Sequence, residues 1–260
     1  MTSEQLVLTR VQDGVATLTM NRPHARNALS RPLMGAMIEA LDSIEADKTA
    51  HVVVIEGAGP GFCAGHDLKE VRGTPTPEFY EQLFADCSRL MQRIQSLRQP
   101  VIAKVHGIAT AAGCQLVATC DLAIADEGAR FATPGVNIGL FCSTPMVALS
   151  RAVHRKQAMR MLLTGEMLSA AKALEIGLIS DVAAAGTLDD AANALARGIA
   201  SKSPLTLAIG KEAFYRQVEL PVAEAYDYAS GVMVMNMQKR DAEEGVDAFI
   251  EKRDPTWTGQ

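Results

Sequence analysis

His106-Gly107-Ile108-Ala109-Thr110-Ala111-Ala112-Gly113-Cys114-Gln115-Leu116 is the stretch on which the reading of this chain turns. It follows the apolar run Val101–Val105 behind Pro100, so a strand leads into a turn of small residues and then into an apolar helical segment. Such a junction brings backbone N–H groups close to a ligand oxygen, because the first N–H groups of a helix have no intrahelical partner. The next side chain on the turn, Gln115, then points into the same pocket. An amide there can hydrogen-bond, but it takes up no proton near neutral pH.

A second junction of the same kind is Gly57-Ala-Gly-Pro-Gly-Phe-Cys-Ala-Gly-His-Asp-Leu-Lys-Glu70, behind the apolar strand His51–Ile55. Asp67 is placed to cap the helix that follows. The loop is neither GxGxxG nor a Walker pattern, and by itself it reads equally well as a tight turn. Taken together, the two junctions can supply one N–H each to a single oxygen, which makes an oxyanion hole. Removing one such donor typically costs about 10²–10³ in rate.

A third loop, Phe131-Ala-Thr-Pro-Gly-Val-Asn-Ile-Gly-Leu-Phe-Cys-Ser-Thr-Pro145, is rich in turn residues. Ser143 or Thr144 is positioned as the cap of a helix opening at Pro145. Cys142 reads either as a nucleophile or as a buried thiol, and no His or Asp partner for it stands out in the sequence. The five cysteines are Cys63, Cys87, Cys114, Cys120 and Cys142, without metal-ligand spacing. They read as reduced thiols of a cytoplasmic protein. His24, His51, His106 and His154 show no metal spacing either.

The chain has 260 residues, 48% hydrophobic and 21% charged, which suits a soluble globular protein with a substantial core. A net charge of −5 with no basic block argues against nucleic acid as a partner. No apolar run approaches the ~20 residues of a membrane helix. Met1-Thr2-Ser3-Glu4-Gln5 lacks the features of a secretion signal or transit peptide, so a cytoplasmic location is expected.

Leu6–Val11 and Val15–Met20 flank Asp13-Gly14, a hairpin signal. Ser30-Arg-Pro-Leu starts a helix that runs through Ile44, Phe79–Ile94 is a second helix, and Leu122–Ala125 is a strand entered through Cys120-Asp121. From Pro145 onward helical patterns dominate, with Leu178–Val182 as the one strand. This order implies an α/β fold with crossovers. A soft boundary near residue 200 separates a core (1–200) from a helical subdomain (201–260). In the helix Pro221–Lys239, Met233, Met235 and Met237 with Tyr226 and Tyr228 read either as core or as a subunit interface. No internal repeat is visible.

The three loops, in this order and spacing, resemble the crotonase superfamily, the enoyl-CoA hydratase/isomerase family. The likeness extends through Asn21-Arg-Pro-His-Ala-Arg-Asn-Ala-Leu-Ser30, Phe62-Cys-Ala-Gly-His-Asp67, Cys120-Asp-Leu-Ala-Ile-Ala125, Leu163-Thr-Gly165, Ala170–Gly177 with Leu178-Ile-Ser180, and Phe249-Ile-Glu-Lys-Arg253. Within it, the strings around Gln115 and Cys142 are most similar to the third group of enoyl-CoA-hydratase-domain-containing proteins of animal mitochondria. The resemblance implies a β-β-α spiral core with a helical C-terminal trimerisation region, as a homotrimer or dimer of trimers. It also implies an acyl-CoA ligand, no resident cofactor beyond the coenzyme A of the substrate, and a place in fatty-acid metabolism.

By the same resemblance the N–H groups of His66 and Ala112 form the oxyanion hole. An alanine at Ala112, where glycine is usual, requires a negative φ. Ligand contacts fall on Arg22, His24, Ala25, Ala64, His66, Asp67, Leu68, Lys69, Ala112 and Asn137, and on Lys252 or Arg253 of the last helix. The His66 imidazole reads either as a base or as a side chain lining the channel. The two hydratase glutamates fall on Gln115 and Gly135, and the dienoyl-CoA isomerase aspartate on Ser143. All three carboxylates are absent. General acid–base catalysis contributes about 10²–10⁴, so the expectation is an acyl-CoA-binding site without efficient hydration. Any reaction then draws on substrate groups, on water held by Gln115, or on Asn137, Cys142 or Ser143; thioester hydrolysis or decarboxylation fits better than hydration. The alternatives are an inert acyl-CoA binder or regulatory protein, and a ligand-free scaffold.

Overall fold

The computed structural model describes residues 5–260, so most of the Met1–Gln5 reading falls on residues outside it. β1 (Val7–Gln12) and β2 (Val15–Met20) form the expected hairpin, with Asp13 at φ 52° and Gly14 at φ 78° in its turn. α1 (Arg31–Ala46) starts at Ser30, whose hydroxyl accepts the Leu33 N–H, with Pro32 in the first turn. Then come β3 (Val52–Gly57), α2 (Leu68–Gly73), α3 (Pro77–Ser96), β4 (Val101–Val105), β5 (Ile108–Thr110), α4 (Ala112–Thr119), β6 (Leu122–Asp126) and β7 (Arg130–Ala132). The second half holds α5 (Pro145–Ala152), α6 (Arg155–Thr164), β8 (Leu168–Ser169), α7 (Ala170–Glu175), β9 (Asp181–Ala183) and α8 (Leu188–Ala200). It ends in α9 (Pro204–Gln217), α10 (Val222–Met237) and α11 (Arg240–Glu251).

Six strands form one sheet in the order β1-β2-β3-β4-β6-β9, parallel except for the hairpin. β5, β7 and β8 form a second sheet. The chain therefore winds from the first sheet to the second and then into a helix, as in β4-β5-α4. β6-β7 repeats the step before the 3-10 turn Pro134–Ile138, and Cys63, bridged to Ala109, stands in for the second strand after β3. This is the β-β-α spiral. Strands β5, β7 and β8 were not legible in the sequence, because two or three residues show no alternation. The expected strand Leu178–Val182 is also corrected: Leu178 and Ile179 are buried in a turn, and pairing with β6 begins at Asp181.

Both faces of the large sheet are covered, which accounts for its unbroken apolar strands. Val53, Ile55, Val101, Ala103 and Val105 join the main core with α1 and α3. Val52, Val54, Ile102 and Ile124 face the other way and pack with Leu188, Ala192 and Ala196 of α8.

A buried ion pair crosses the expected boundary near residue 200. Lys211 on α9 donates to Asp121 Oδ2 at 2.7 Å and to the carbonyls of Ile94 and Gln99 at 2.8 and 2.9 Å. Asp121 also accepts the Val101 N–H at 2.6 Å and the Tyr215 hydroxyl at 2.8 Å. Burial lowers the Lys211 pKa, with Asp121 opposing it, and burial raises that of Tyr215. Asp121 thus holds α9 against the α3–β4 loop. On α10 no residue is buried, so its methionines are not core of this chain. Asp121→Asn leaves a buried ammonium without its counter-charge and is expected to cost about 3–5 kcal/mol of stability, read as a lowered denaturant midpoint; an unchanged midpoint would contradict this role.

Candidate active site

The site is assembled by the pairing of residues 62–66 with β5. Phe62 N–H donates to His106 O at 2.9 Å, Cys63 N–H to Ile108 O at 3.0 Å, and Thr110 N–H back to Cys63 O at 3.0 Å. The Thr110 hydroxyl adds a bond to Ala64 O at 3.0 Å. On the other side, Leu29 N–H donates to Gly65 O and Asp67 N–H to Leu29 O. These bonds set Gly65-His66 beside Ala111-Ala112. A Cβ built on Gly65, which has φ +95°, would lie 2.9 Å from the Ala111 Cβ and 3.4 Å from the Ala112 nitrogen. Glycine is needed here for both reasons.

Ala112 opens α4, and among the described residues neither its N–H nor that of His66 donates to a protein acceptor. Two N–H groups from adjacent turns are thus left without a partner, the arrangement that can hold a polarised carbonyl oxygen. Ala112 is not in the left-handed region, so the requirement on its φ is met. The unusual backbone sits one residue earlier, where Ala111 has φ 51° and ψ −117°. Its N–H is held by Ala132 O at 2.9 Å, and its carbonyl accepts the Gln115 N–H at 3.0 Å. A side chain in such a conformation is strained. Gly113 is fixed more severely, since a Cβ there would come within about 2.1 Å of the Cys63 carbonyl oxygen.

Gln115 is buried on α4, one turn beyond Ala112. Its Oε1 accepts from the thiol of Cys87 on α3 at 3.7 Å. Cys87 is a part of the site that the sequence reading missed; it lies on another helix and carries no local signal. Burial pushes the thiols of Cys63, Cys87 and Cys114 up to about 12, so they are protonated and inert near neutral pH.

Gly135 lies buried in the 3-10 turn Pro134–Ile138. A Cβ there would sit 2.6 Å from the Leu140 carbonyl oxygen and 2.8 Å from Cys142 Sγ. The position on which the resemblance placed a second carboxylate is therefore closed by the chain itself. Cys142 is buried with its pKa raised by that burial, which rules against the nucleophile reading. The Ser143 hydroxyl donates to Phe141 O at 3.3 Å. Neither Ser143 nor Thr144 caps α5 through its side chain, correcting that expectation.

The remaining expected contacts divide. Asp67 caps α2, its Oδ1 accepting the Lys69 and Glu70 N–H groups. The Arg22 guanidinium is held within the protein, donating to Ala28 O at 2.7 Å and Asp67 Oδ2 at 2.9 Å. Burial tends to raise the Asp67 pKa, but the Arg22 and helix N–H bonds outweigh it and hold the carboxyl below its usual range. His24, Leu68 and Lys69 are exposed, and Ala25 and Ala64 half-buried, around this clamp. Asn137 is exposed, and its amide nitrogen lies against Gly165, 3.2 Å from where a Cβ would stand. Lys252 is the exposed left-handed residue that ends α11, while Arg253 is paired with Glu244 and Glu251. Two clefts, of about 720 Å³ beside Asp121 and Tyr215 and about 790 Å³ between α3 and α9, are lined by none of the residues that form the N–H pair.

The family follows from this geometry together with the sequence. A family model described as enoyl-CoA hydratase/isomerase matches residues 10–260. The chain belongs to the enoyl-CoA hydratase/isomerase family. This family member is 45% identical over 254 residues to the enoyl-CoA hydratase domain-containing protein 3, mitochondrial, of Rattus norvegicus, covering 98% of this chain and 85% of the rat protein. Among solved structures it is similar to an enoyl-CoA hydratase of Mycobacterium smegmatis, with TM-score 0.95, 52% identity and coverage of 98% and 99% of the two chains. It is also similar to the human enoyl-CoA hydratase domain-containing protein 3, with TM-score 0.94, 43% identity and coverage of 97% and 100%. These matches show the crotonase fold. They also correct the expected cytoplasmic location, since the rat, Danio rerio and Homo sapiens relatives at 45% identity are all named as mitochondrial.

The His66 ring packs edge-on against Phe84, with centroids 5.7 Å apart, and Nδ1 faces Leu29 O at 3.4 Å. Burial lowers its pKa, with the Leu29 carbonyl opposing, so the ring is neutral near pH 7, and its Nε2 is buried without a hydrogen-bond partner. The unfolded chain takes up this proton near pH 6.5 and the folded chain does not. The His66 contribution to stability is present above that pH and is lost as pH falls through the folded pKa. The unfolding midpoint is expected to drop between pH 7 and 5, and less steeply in His66→Gln; equal slopes would refute this. Ala111→Gly removes the strain and is expected to raise stability by about 1 kcal/mol after the entropy of glycine is counted, measured by denaturant unfolding.

Proposed function

We propose that this chain binds an acyl-CoA thioester, its carbonyl oxygen accepting the N–H groups of His66 and Ala112. The observation that carries this reading is the adjacent pair of unpartnered N–H groups, held together by the pairing of residues 62–66 with β5. Their alignment favours the state in which negative charge develops on the thioester oxygen. The eight-residue helix α4 adds the positive end of its dipole at the same point. Coenzyme A arrives as part of the substrate, and the reading calls for no resident cofactor or metal.

Hydration of an enoyl group needs a base to activate water and an acid to deliver a proton. At the two positions where hydratases carry glutamates, this chain has an amide whose oxygen is engaged and a glycine with no room for a side chain. Efficient hydration is therefore not its reaction. Hydrolysis and decarboxylation of a polarised thioester draw fewer protons from the protein. The closure over Gly135 favours one second reading, an acyl-CoA binder without turnover that acts as a regulatory protein. Exposed Val222, Tyr226, Met233, Val234, Phe249 and Ile250 on α10 and α11 support self-association of the helical region, as a trimer or a dimer of trimers.

The test is a crotonyl-CoA hydration assay beside a titration with CoA esters. Binding is expected, with hydration at least about 10²-fold below ordinary enzyme rates of roughly 1–10³ s⁻¹. Hydration at an ordinary rate would refute the reading of Gln115 and Gly135. Failure to bind any CoA ester would refute the ligand class.

A further inference from the structure

We infer that Gln115 selects acyl-CoAs carrying a hydrogen-bond-accepting oxygen on C3, a keto or carboxylate oxygen, and that Cys87 sets this preference by fixing the Gln115 amide. The inference rests on the acyl-CoA reading above. An amide has one accepting end and one donating end. In this chain the accepting end is engaged: Oε1 faces the Cys87 thiol at 3.7 Å, across from α3. The thiol is buried and keeps its proton, so it presents a donor to that oxygen. Among the described residues Nε2 has no protein acceptor, and it is not among the buried atoms left without a partner. The end of Gln115 that remains open therefore offers two N–H groups and no lone pair.

Position decides what those N–H groups meet. Ala112 and Gln115 are three residues apart on α4, so they share a helix face with Cβ atoms about 5–6 Å apart. A thioester oxygen held at the Ala112 N–H sets the acyl carbons just beyond the carbonyl alongside Gln115. An apolar group at C3 would cover Nε2 and strip it of water without replacing the bond, whereas an oxygen there completes it. Position 135 brings no carboxylate to this point, and the charge of Asp67 is taken up by Arg22 and the start of α2. Cys87 is a positioning residue, since it acts only through Gln115.

Three ligands share one branched outline of heavy atoms and carry none, one and two oxygens on C3: 3-methylbutanoyl-CoA, tetrahedral and neutral there; acetoacetyl-CoA, planar and neutral, whose comparison with the first reads the oxygen without a charge; and malonyl-CoA, planar and charged. Equilibrium titration of the full chain is expected to give malonyl-CoA at least about tenfold tighter binding than 3-methylbutanoyl-CoA, with acetoacetyl-CoA between them. Gln115→Met is expected to collapse that ratio. Cys87→Ala is expected to reduce it to about threefold or less, and Cys87→Ser, whose hydroxyl can donate to Oε1, to restore it. Where Cys87→Ala does not fold, Cys87→Val removes the donor at similar volume. Equal affinity for the three esters overturns the inference and leaves the acyl-CoA reading standing. No binding of any of them removes that reading, and the inference with it. A wild-type ratio in a folded Cys87→Ala or Cys87→Val protein overturns the positioning role.

Discussion

The contact between Gly113 and the carbonyl of Cys63 governs how near two parts of the chain can come. The first turn of α4 rests directly on that carbonyl, and no side chain fits between them. With the turn seated there, the ladder between residues 62–66 and β5 carries Gly65 and His66 up to Ala111 and Ala112. The separation of the two free N–H groups is therefore set by backbone packing and not by side-chain choice. The unusual dihedrals of Ala111 are part of the same arrangement, since its N–H and carbonyl are tied on one side to β7 and on the other to α4.

Around this frame the polar groups are divided between holding the chain and facing the ligand space. Asp67 and Arg22 are spent on each other and on the surrounding backbone. Asp121 and Lys211 do the same at the other end of α4, and they join the C-terminal helices to the core. In the proposed acyl-CoA site the groups left to meet the ligand are donors: two backbone N–H groups and one amide nitrogen. A donor-lined site stabilises charge on a bound oxygen but has little means of moving a proton.

Much of this was legible in the sequence, for identifiable reasons. The hairpin at Asp13-Gly14, the Ser30 cap and the Asp67 cap are local signals, and each is read from a few neighbouring residues. The junctions at His66 and Ala112 were visible as small residues between a strand and a helix. That the two could serve one oxygen was part of that reading; the pairing that brings them together, Cys63 with Ala109, is a long-range choice that no local pattern shows. Cys87 could not be found for the same reason, being on α3 while its partner is on α4. The ion pair of Arg22 was not legible because nothing in its neighbourhood announces a carboxylate 45 positions on. The short strands β5, β7 and β8 exist only through their neighbours in the second sheet.

The segment that folds over Gly135 bears on how such a chain can change over time. With the Leu140 carbonyl and the Cys142 sulfur occupying the space beside Gly135, a carboxylate does not fit there by a single substitution. The backbone between Gly139 and Ser143 would first have to move out, and that step brings no proton-transfer group of its own. The amide at position 115 could be exchanged for a carboxylate in one step, but alone it would supply half of an acid–base pair. A substitution aimed at position 135 therefore meets a backbone obstacle, whereas Gln115 on α4 and Cys87 on α3 face each other through side chains and can be exchanged without moving the chain.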